Sequence, residues 1–132
     1  MPAFRCRGRI WHNPVLLALD SIGGMWRMPI LWRLKDGPMR YGELKRSLSK
    51  SLGSREITDR ALAVPLRRLE RDRLLTREVR PGRPPAVAYA ITERGLAAID
   101  CIRALQRYGL QLKAWEGGVE VPDPVAPLKA AR

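Results

Sequence analysis

The residues of this chain that can do chemistry are mostly arginines, and they cluster. Arg60, Arg67, Arg68, Arg71 and Arg73 fall in one helical run from Thr58 to Arg73. Arg77, Arg80 and Arg83 follow at once around a proline-tipped turn. A guanidinium group is always charged and pairs bidentately with phosphate or with the edge of guanine. Two adjacent elements loaded this way suit a polyanion. A helix of this kind fits the major groove of DNA, and a hairpin lies beside it along the backbone. Other chemistry lacks its residues. His12 is the single histidine, and Cys6 and Cys101 are the two cysteines. That leaves no disulfide framework, no metal-ligand spacing and no serine-type triad. There is no glycine-rich phosphate loop and no pair of carboxylates on a predictable face. An enzyme is therefore not expected, nor is a metal or cofactor.

The whole composition agrees with this reading. The chain has 132 residues, which suggests one domain, and 45% of them are hydrophobic, which is ordinary for a globular protein. Lys and Arg number 25 against 13 acidic residues, for a net charge of +12. Such a balance implies an anionic partner: nucleic acid, an acidic membrane surface or an acidic protein. A GC-rich coding bias enriches arginine without any function, but it does not account for the clustering. No uncharged apolar run reaches transmembrane length, and the basic N-terminus (Arg5, Arg7, Arg9) lacks the apolar core of a signal peptide. Double-stranded DNA in the cytoplasm is the expected partner, and not a membrane.

The elements that must position the arginines can be placed from local signals. Residues 1–12 read as a basic, flexible arm. Asn13-Pro14 starts a short helix carrying Val15, Leu16, Leu19 and Ile22, which stops at Gly23-Gly24. A second helix spans about Met25 to Lys35, with Pro29 near its start. Met39-Arg40 is a short extended link, and a third helix covers about Tyr41 to Leu48. Ser49 to Glu56 is polar and loop-like. In the arginine helix, Leu62, Leu66 and Leu69 make the buried stripe, while Arg60, Val64, Arg67 and Arg71 face the other way. Pro65 in its middle is expected to bend or interrupt it. Leu74 to Arg80 and Ala86 to Thr92 read as strands joined by Pro81-Gly82-Arg83-Pro84-Pro85. Thr92 caps a long last helix to about Trp115, and the proline-bearing residues 117–132 read as a disordered tail.

Four helices, a hairpin and a last long helix describe a mainly α fold with a small β-hairpin wing. This is a winged helix-turn-helix within residues 13–116 with a C-terminal dimerisation helix. Four blocks make a more specific match. Ile22-Gly23-Gly24-Met25-Trp26, Pro38-Met39-Arg40-Tyr41-Gly42-Glu43-Leu44, Leu66-Arg67-Arg68-Leu69-Glu70 and Tyr89-Ala90-Ile91-Thr92-Glu93-Arg94-Gly95 resemble, in this order, the HxlR family of bacterial transcription regulators. The resemblance covers about Asn13 to Trp115. It implies a homodimer that binds operator DNA and controls nearby genes. Three departures stand out. Asn13 occupies the place before the first-helix proline where many members carry a redox-sensing cysteine. The link around Ser49 to Arg55 is longer than usual. Pro65 stands where the family often has a polar or basic residue.

Candidate sites follow. Thr58, Arg60, Val64, Arg67 and Arg68 are the recognition-helix candidates, because the N-terminal part of such a helix meets the bases. Capping alone is the plain alternative for Thr58, and pairing with Glu70 or Asp72 the alternative for Arg67 and Arg68. Arg80 and Arg83 flank the wing tip and are expected at phosphate or the minor groove. Arg40, Tyr41 and Lys45 open the third helix, a common place to anchor phosphate. The apolar seam of the last helix runs too far to be covered by one small domain. Ile99, Ile102, Leu105, Leu112 and Trp115 are expected to form a dimer interface with Val15, Leu16 and Leu19 of the first helix. Two such domains would read a pseudo-palindrome. Cys6 lies between two arginines, which favour a reactive thiolate, so an oxidant sensor stands beside the plainer reading of a cysteine in a loose arm. Trp11, Trp26, Trp32 and Trp115 have the shape to line a pocket for a small-molecule effector, although core packing is the simpler role for Trp26 and Trp32. The competing class is a basic architectural DNA-binding protein without sequence preference.

Overall fold

The computed structural model describes residues 2–50 and 57–121. Side-chain caps set the helix starts. Asn13 Oδ1 accepts the Val15 backbone N–H at 2.8 Å and opens helix α1, Pro14–Ile22. Helix α2 spans Arg27–Leu34, with Pro29 in its first turn, where its missing N–H costs little. Strand β3, Met39–Arg40, leads into helix α3, Tyr41–Lys50. Thr58 Oγ1 accepts the Ala61 N–H at 3.1 Å and opens helix α4, Asp59–Arg71. The end of α4 is closed by Arg73 N–H donating to the Glu70 carbonyl and Leu74 N–H to the Leu69 carbonyl. Arg73 takes the left-handed conformation (φ 63°) that this C-cap requires and that glycine usually supplies. Strands β4, Leu75–Arg80, and β5, Ala86–Ile91, form the wing. Thr92 then caps helix α5, Glu93–Trp115, by accepting the Gly95 N–H at 3.1 Å.

The sheet order is β3-β5-β4, all antiparallel, with Met39 opposite Tyr89 and the β4–β5 register running from Leu75↔Ile91 to Arg80↔Ala86. The short link expected at Met39-Arg40 is thus the third strand of the wing sheet. The core lies where α2, α3 and α4 meet under that sheet. Ile30, Leu31, Leu34, Leu44, Leu48, Leu62 and Leu69 are fully buried, with Leu74, Leu75 and Tyr89 beside them. The leucine period of α4 therefore fixes which of its faces looks outward. A winged helix-turn-helix, mainly α with a β-hairpin wing and a long C-terminal helix, is what these elements build.

Four expectations are corrected. Where it is described, the loose arm expected over residues 1–12 is a hairpin. Strands Phe4–Cys6 (β1) and Arg9–Trp11 (β2) pair antiparallel around Arg7 and Gly8, which both take positive φ, as a two-residue hairpin turn requires. Trp11 is buried and its indole N–H donates to the Cys6 carbonyl at 2.8 Å, which locks the hairpin. Pro65 does not interrupt α4, which runs unbroken from Asp59 to Arg71. Its leucines are held by the core, and Ala61, whose carbonyl loses its helical partner, lies on the exposed side where water can serve it. Helix α3 runs on through Ser49 and Lys50, and the rest of the loop expected to Glu56 lies outside the described residues. Ile99 is a core residue and Ile102 packs half-buried against the same core, so the inner half of the α5 seam is spent within the domain. The tail expectation falls mainly outside the described residues. What is described begins with Gly117 at φ 68°, which lets Gly118 N–H close the end of α5 on the Lys113 carbonyl at 2.7 Å.

Gly95 marks the tightest approach among the described glycines. A Cβ there would sit 2.2 Å from the Leu74 carbonyl oxygen and 2.6 Å from Ile91 Cγ1. Gly95→Ala is expected to cost about 3 kcal/mol, because backbone must move to admit the methyl. Equilibrium urea unfolding checks this, and an unchanged midpoint would show that α5 can lift away freely.

Candidate nucleic-acid interface

Because Leu62, Leu66 and Leu69 turn inward, Arg60, Val64, Arg67 and Arg71 emerge on the outer side of α4, all exposed. Among the described residues neither Arg60 nor Arg67 has an ion-pair partner, whereas Arg71 lies 3.6 Å from Asp72. The wing supplies the second cationic element: Arg77, Arg80 and Arg83 are all exposed, and Arg80 sits 3.5 Å from Glu78. Arg40 is exposed on β3 opposite Ala88, and its backbone N–H donates to Glu43 at 3.4 Å, so α3 is capped from its third residue.

Two groups of predicted site residues are already engaged. Tyr41 donates its phenol hydrogen to Asp59, and Lys45 Nζ lies 3.1 Å from the same carboxylate. The bond from Tyr41, followed by Lys45, holds the Asp59 carboxyl below its ordinary range. Burial, followed by the bond to Asp59, pushes the Tyr41 phenol up, so it remains a donor. Asp59 is the first residue of α4, where a negative charge also favours the positive helix end. Tyr41 and Lys45 therefore join the two helices of the helix-turn-helix. The sequence placed Asp59 only in a first turn; its partners lie on another helix, and no local pattern announces them.

Arg68 is the second case. It was expected among the DNA-contacting residues, but its guanidinium reaches back to Asp20 of α1 at 3.0 Å and to Asp72 at 2.9 Å. Arg7 of the hairpin turn binds the same two carboxylates, at 3.5 and 3.1 Å, and Arg27 donates to the Asp20 carbonyl at 2.6 Å. Burial, and then the neighbouring Arg68 charge, lower the Arg27 pKa, while the Asp72 bond raises that of Arg68. Burial disfavours the charged form of Asp72, but the Arg68 bond and the charges of Arg7, Arg68 and Arg71 outweigh it and hold the carboxyl below its ordinary 3.8.

The remaining candidates scatter. Asn13 spends its side chain on capping α1. Cys6 is half-buried in β1 and Cys101 exposed on α5. The four tryptophans do not share one pocket. Trp11 is buried, Trp26 and Trp32 pack half-buried against the core, and Trp115 is 70% exposed at the end of α5.

A core-anchored helix with outward arginines beside a basic hairpin defines a DNA-binding, winged helix-turn-helix transcription regulator. The chain belongs to the HxlR-like helix-turn-helix family, whose model matches residues 21–116. It is 41% identical over 95 residues to an uncharacterised HTH-type transcriptional regulator of Methanothermobacter thermautotrophicus, covering 72% of this chain and 68% of that one. It is 39% identical over 119 residues to the HTH-type regulator YdeP of Bacillus subtilis, covering 90% and 81%. In structure it resembles a protein of Enterococcus faecalis described as a MarR-family transcriptional regulator. There the TM-score is 0.65 at 33% identity, over 80% of this chain and 91% of that one.

The charge cluster carries a pH signature. A depressed carboxyl contributes stability that is fully present above its unfolded pKa and is lost as pH falls through the folded value. For Asp72 the loss therefore begins near 3.8 and continues below it. Asp72→Asn is expected to lower stability near neutral pH by about 2 kcal/mol. The gap should close in acid as the wild type loses its own contribution. Urea unfolding at neutral pH and near pH 3 checks both; a gap independent of pH would show that the charge is not the cause.

Proposed function

We propose that the protein acts in the cytoplasm as a homodimer that recognises a pseudo-palindromic operator. Arg60 and Arg67 read bases, Thr58 stands at the start of the same helix, and Arg40, Arg77, Arg80 and Arg83 hold the backbone. The observation that carries this is the pair of exposed outward arginines, Arg60 and Arg67, which have no ion-pair partner among the described residues. Arg68 and Arg71 of the same helix lie against carboxylates, whereas these two keep their full donor sets for a ligand.

Support for the dimer comes from apolar surface. Leu105, Tyr108, Leu112 and Trp115 recur along one side of α5 at helical spacing, and all but the half-buried Leu112 are exposed. On α1, Val15 (62% exposed), Leu16 and Leu19 are a second group of exposed apolar side chains. Exposed apolar groups in this number suit an association surface. Tyr108 belongs to this stripe, although the sequence pattern singled out only its neighbours. A small-molecule effector remains part of the proposal without an assigned place.

Selection of bound duplexes from a random pool is expected to enrich an inverted repeat. Uniform retention of all sequences would favour an architectural protein. On the selected operator, Arg67→Ala should lose roughly 1–3 kcal/mol of discrimination at one base pair of each half-site. Arg83→Ala should weaken every duplex alike and reduce the salt slope by about 1. Equal salt slopes for wild type and Arg83→Ala would remove the wing from the contact set. The double variant Leu105→Glu with Tyr108→Glu should sediment as a monomer where the wild type is a dimer. A wild type that is monomeric at micromolar concentration refutes the dimer.

A further inference from the structure

The outward side of α4 is not uniformly polar. Val64 stands between Arg60 and Arg67, about one helical turn from each, and is 63% exposed. Ala61, also exposed, and Pro65, half-buried, lie beside it one turn back and one residue on. Together they make a strip of methyl groups and ring carbons between two guanidinium groups. Val64 and Pro65 line an open cleft of about 770 Å³ whose facing wall is Gly24, Met25 and Trp26. A single exposed valine is ordinary on a protein surface. Its position is what matters, since it occupies the middle of the face that Arg60 and Arg67 present to a partner.

The edges of the bases in the major groove carry donors, acceptors and one apolar group, the 5-methyl of thymine. We propose that Val64, with Ala61 and Pro65 beside it, recognises a thymine through that methyl group, next to the guanines contacted by Arg60 and Arg67. The proposal rests on the reading of α4 as the recognition helix. Pro65 fits this role because its ring carbons add rigid apolar surface beside Val64. Ala61 fits because its short side chain leaves room for the base edge. The strip is preorganised: valine has few rotamers and proline has none to lose.

The test uses the full chain and an operator obtained by selection. Each thymine of a half-site is replaced singly by deoxyuridine, which removes only the 5-methyl group, and Kd is measured for wild type and for Val64→Ser. One thymine per half-site is expected to lose about fourfold in wild-type affinity without its methyl, the worth of one buried methyl-sized group. Val64→Ser is expected to bind the thymine and deoxyuridine duplexes equally while keeping its preference at the guanines. Its far-ultraviolet circular dichroism and melting should match the wild type, since Val64 lies at the surface. Two results overturn the proposal and leave the DNA-recognition reading standing: tight selective binding with no methyl-dependent thymine, or a methyl dependence that survives in Val64→Ser. A selection that enriches no sequence overturns both.

Discussion

The arrangement of the outer face of α4 depends on how its C-terminal end is held. Arg68 lies between Asp20 and Asp72, and Arg7 grips the same two carboxylates from the hairpin turn. Arg27 adds a third cation and fixes itself on backbone carbonyls of Asp20 and Ser21. The two carboxylates stand among Arg7, Arg9, Arg68 and Arg71, and Arg7 and Arg68 also hydrogen-bond to both of them. Partial burial strengthens these contacts relative to open surface and makes a missing partner more costly. The cluster joins the hairpin and α1 to the end of α4, which is distant from both in sequence. The leucines of α4 decide which face is buried, and the cluster decides how the far end of the helix is anchored.

The same arrangement separates the arginines bound to carboxylates from the unbound ones. A helix with arginine on several sides has no intrinsic way to choose which of them a partner meets. In the proposed reading, carboxylates make the choice. At the N-terminal end of α4, Asp59 occupies Tyr41 and Lys45. At the C-terminal end, Asp72 occupies Arg68 and lies near Arg71. What remains without a carboxylate partner among the described residues of the outer face is Arg60 and Arg67, with Val64 between them. The net charge of +12 thus overstates the number of cations offered at close range, though all of them contribute to the long-range field that draws a polyanion in, at salt concentrations where the Debye length is near 10 Å.

How far the sequence was legible follows from the range of the forces involved. Caps are local, so Asn13, Thr58 and Thr92 were readable and each is a cap in the structure. The period of Leu62, Leu66 and Leu69 is local too, and it placed the buried and outward sides of α4 correctly. The N-terminal hairpin was missed because its strands are three residues each and its turn, Arg7-Gly8, carries a glycine in only one of its two positive-φ places. The break expected at Pro65 did not occur because tertiary packing of three leucines outweighs one lost backbone bond, worth about 3 kcal/mol together with the ring clash. The pairing of Arg68 with Asp72, four residues on, was legible as the alternative to a DNA contact and is present. The bonds of Arg68 to Asp20 and of Tyr41 and Lys45 to Asp59 were not, because those partners stand 48, 18 and 14 positions away. Ile99 fell on the apolar seam of α5, but the seam faces two ways, inward near its start and outward further along.

The charge cluster also constrains how a dimer of this protein would meet DNA. Asp20 belongs to α1, and α1 carries Val15, Leu16 and Leu19 on the exposed surface assigned to the partner subunit. Arg68, on α4, holds that same Asp20 through both its carboxylate and its backbone carbonyl. In the proposed dimer, a partner pressing on α1 therefore acts on an element tied directly to the recognition helix and not through a flexible linker. The distance between the two copies of α4 is then set by the packing at α1 and α5. DNA tolerates little error in that distance, because half-sites recur once per helical turn of about 34–36 Å and the bases read from one side shift out of phase between turns. In the proposed dimer, this tie would turn interface geometry into half-site spacing, a physical reason to hold the C-terminal end of an otherwise strongly cationic helix against Asp20 and Asp72.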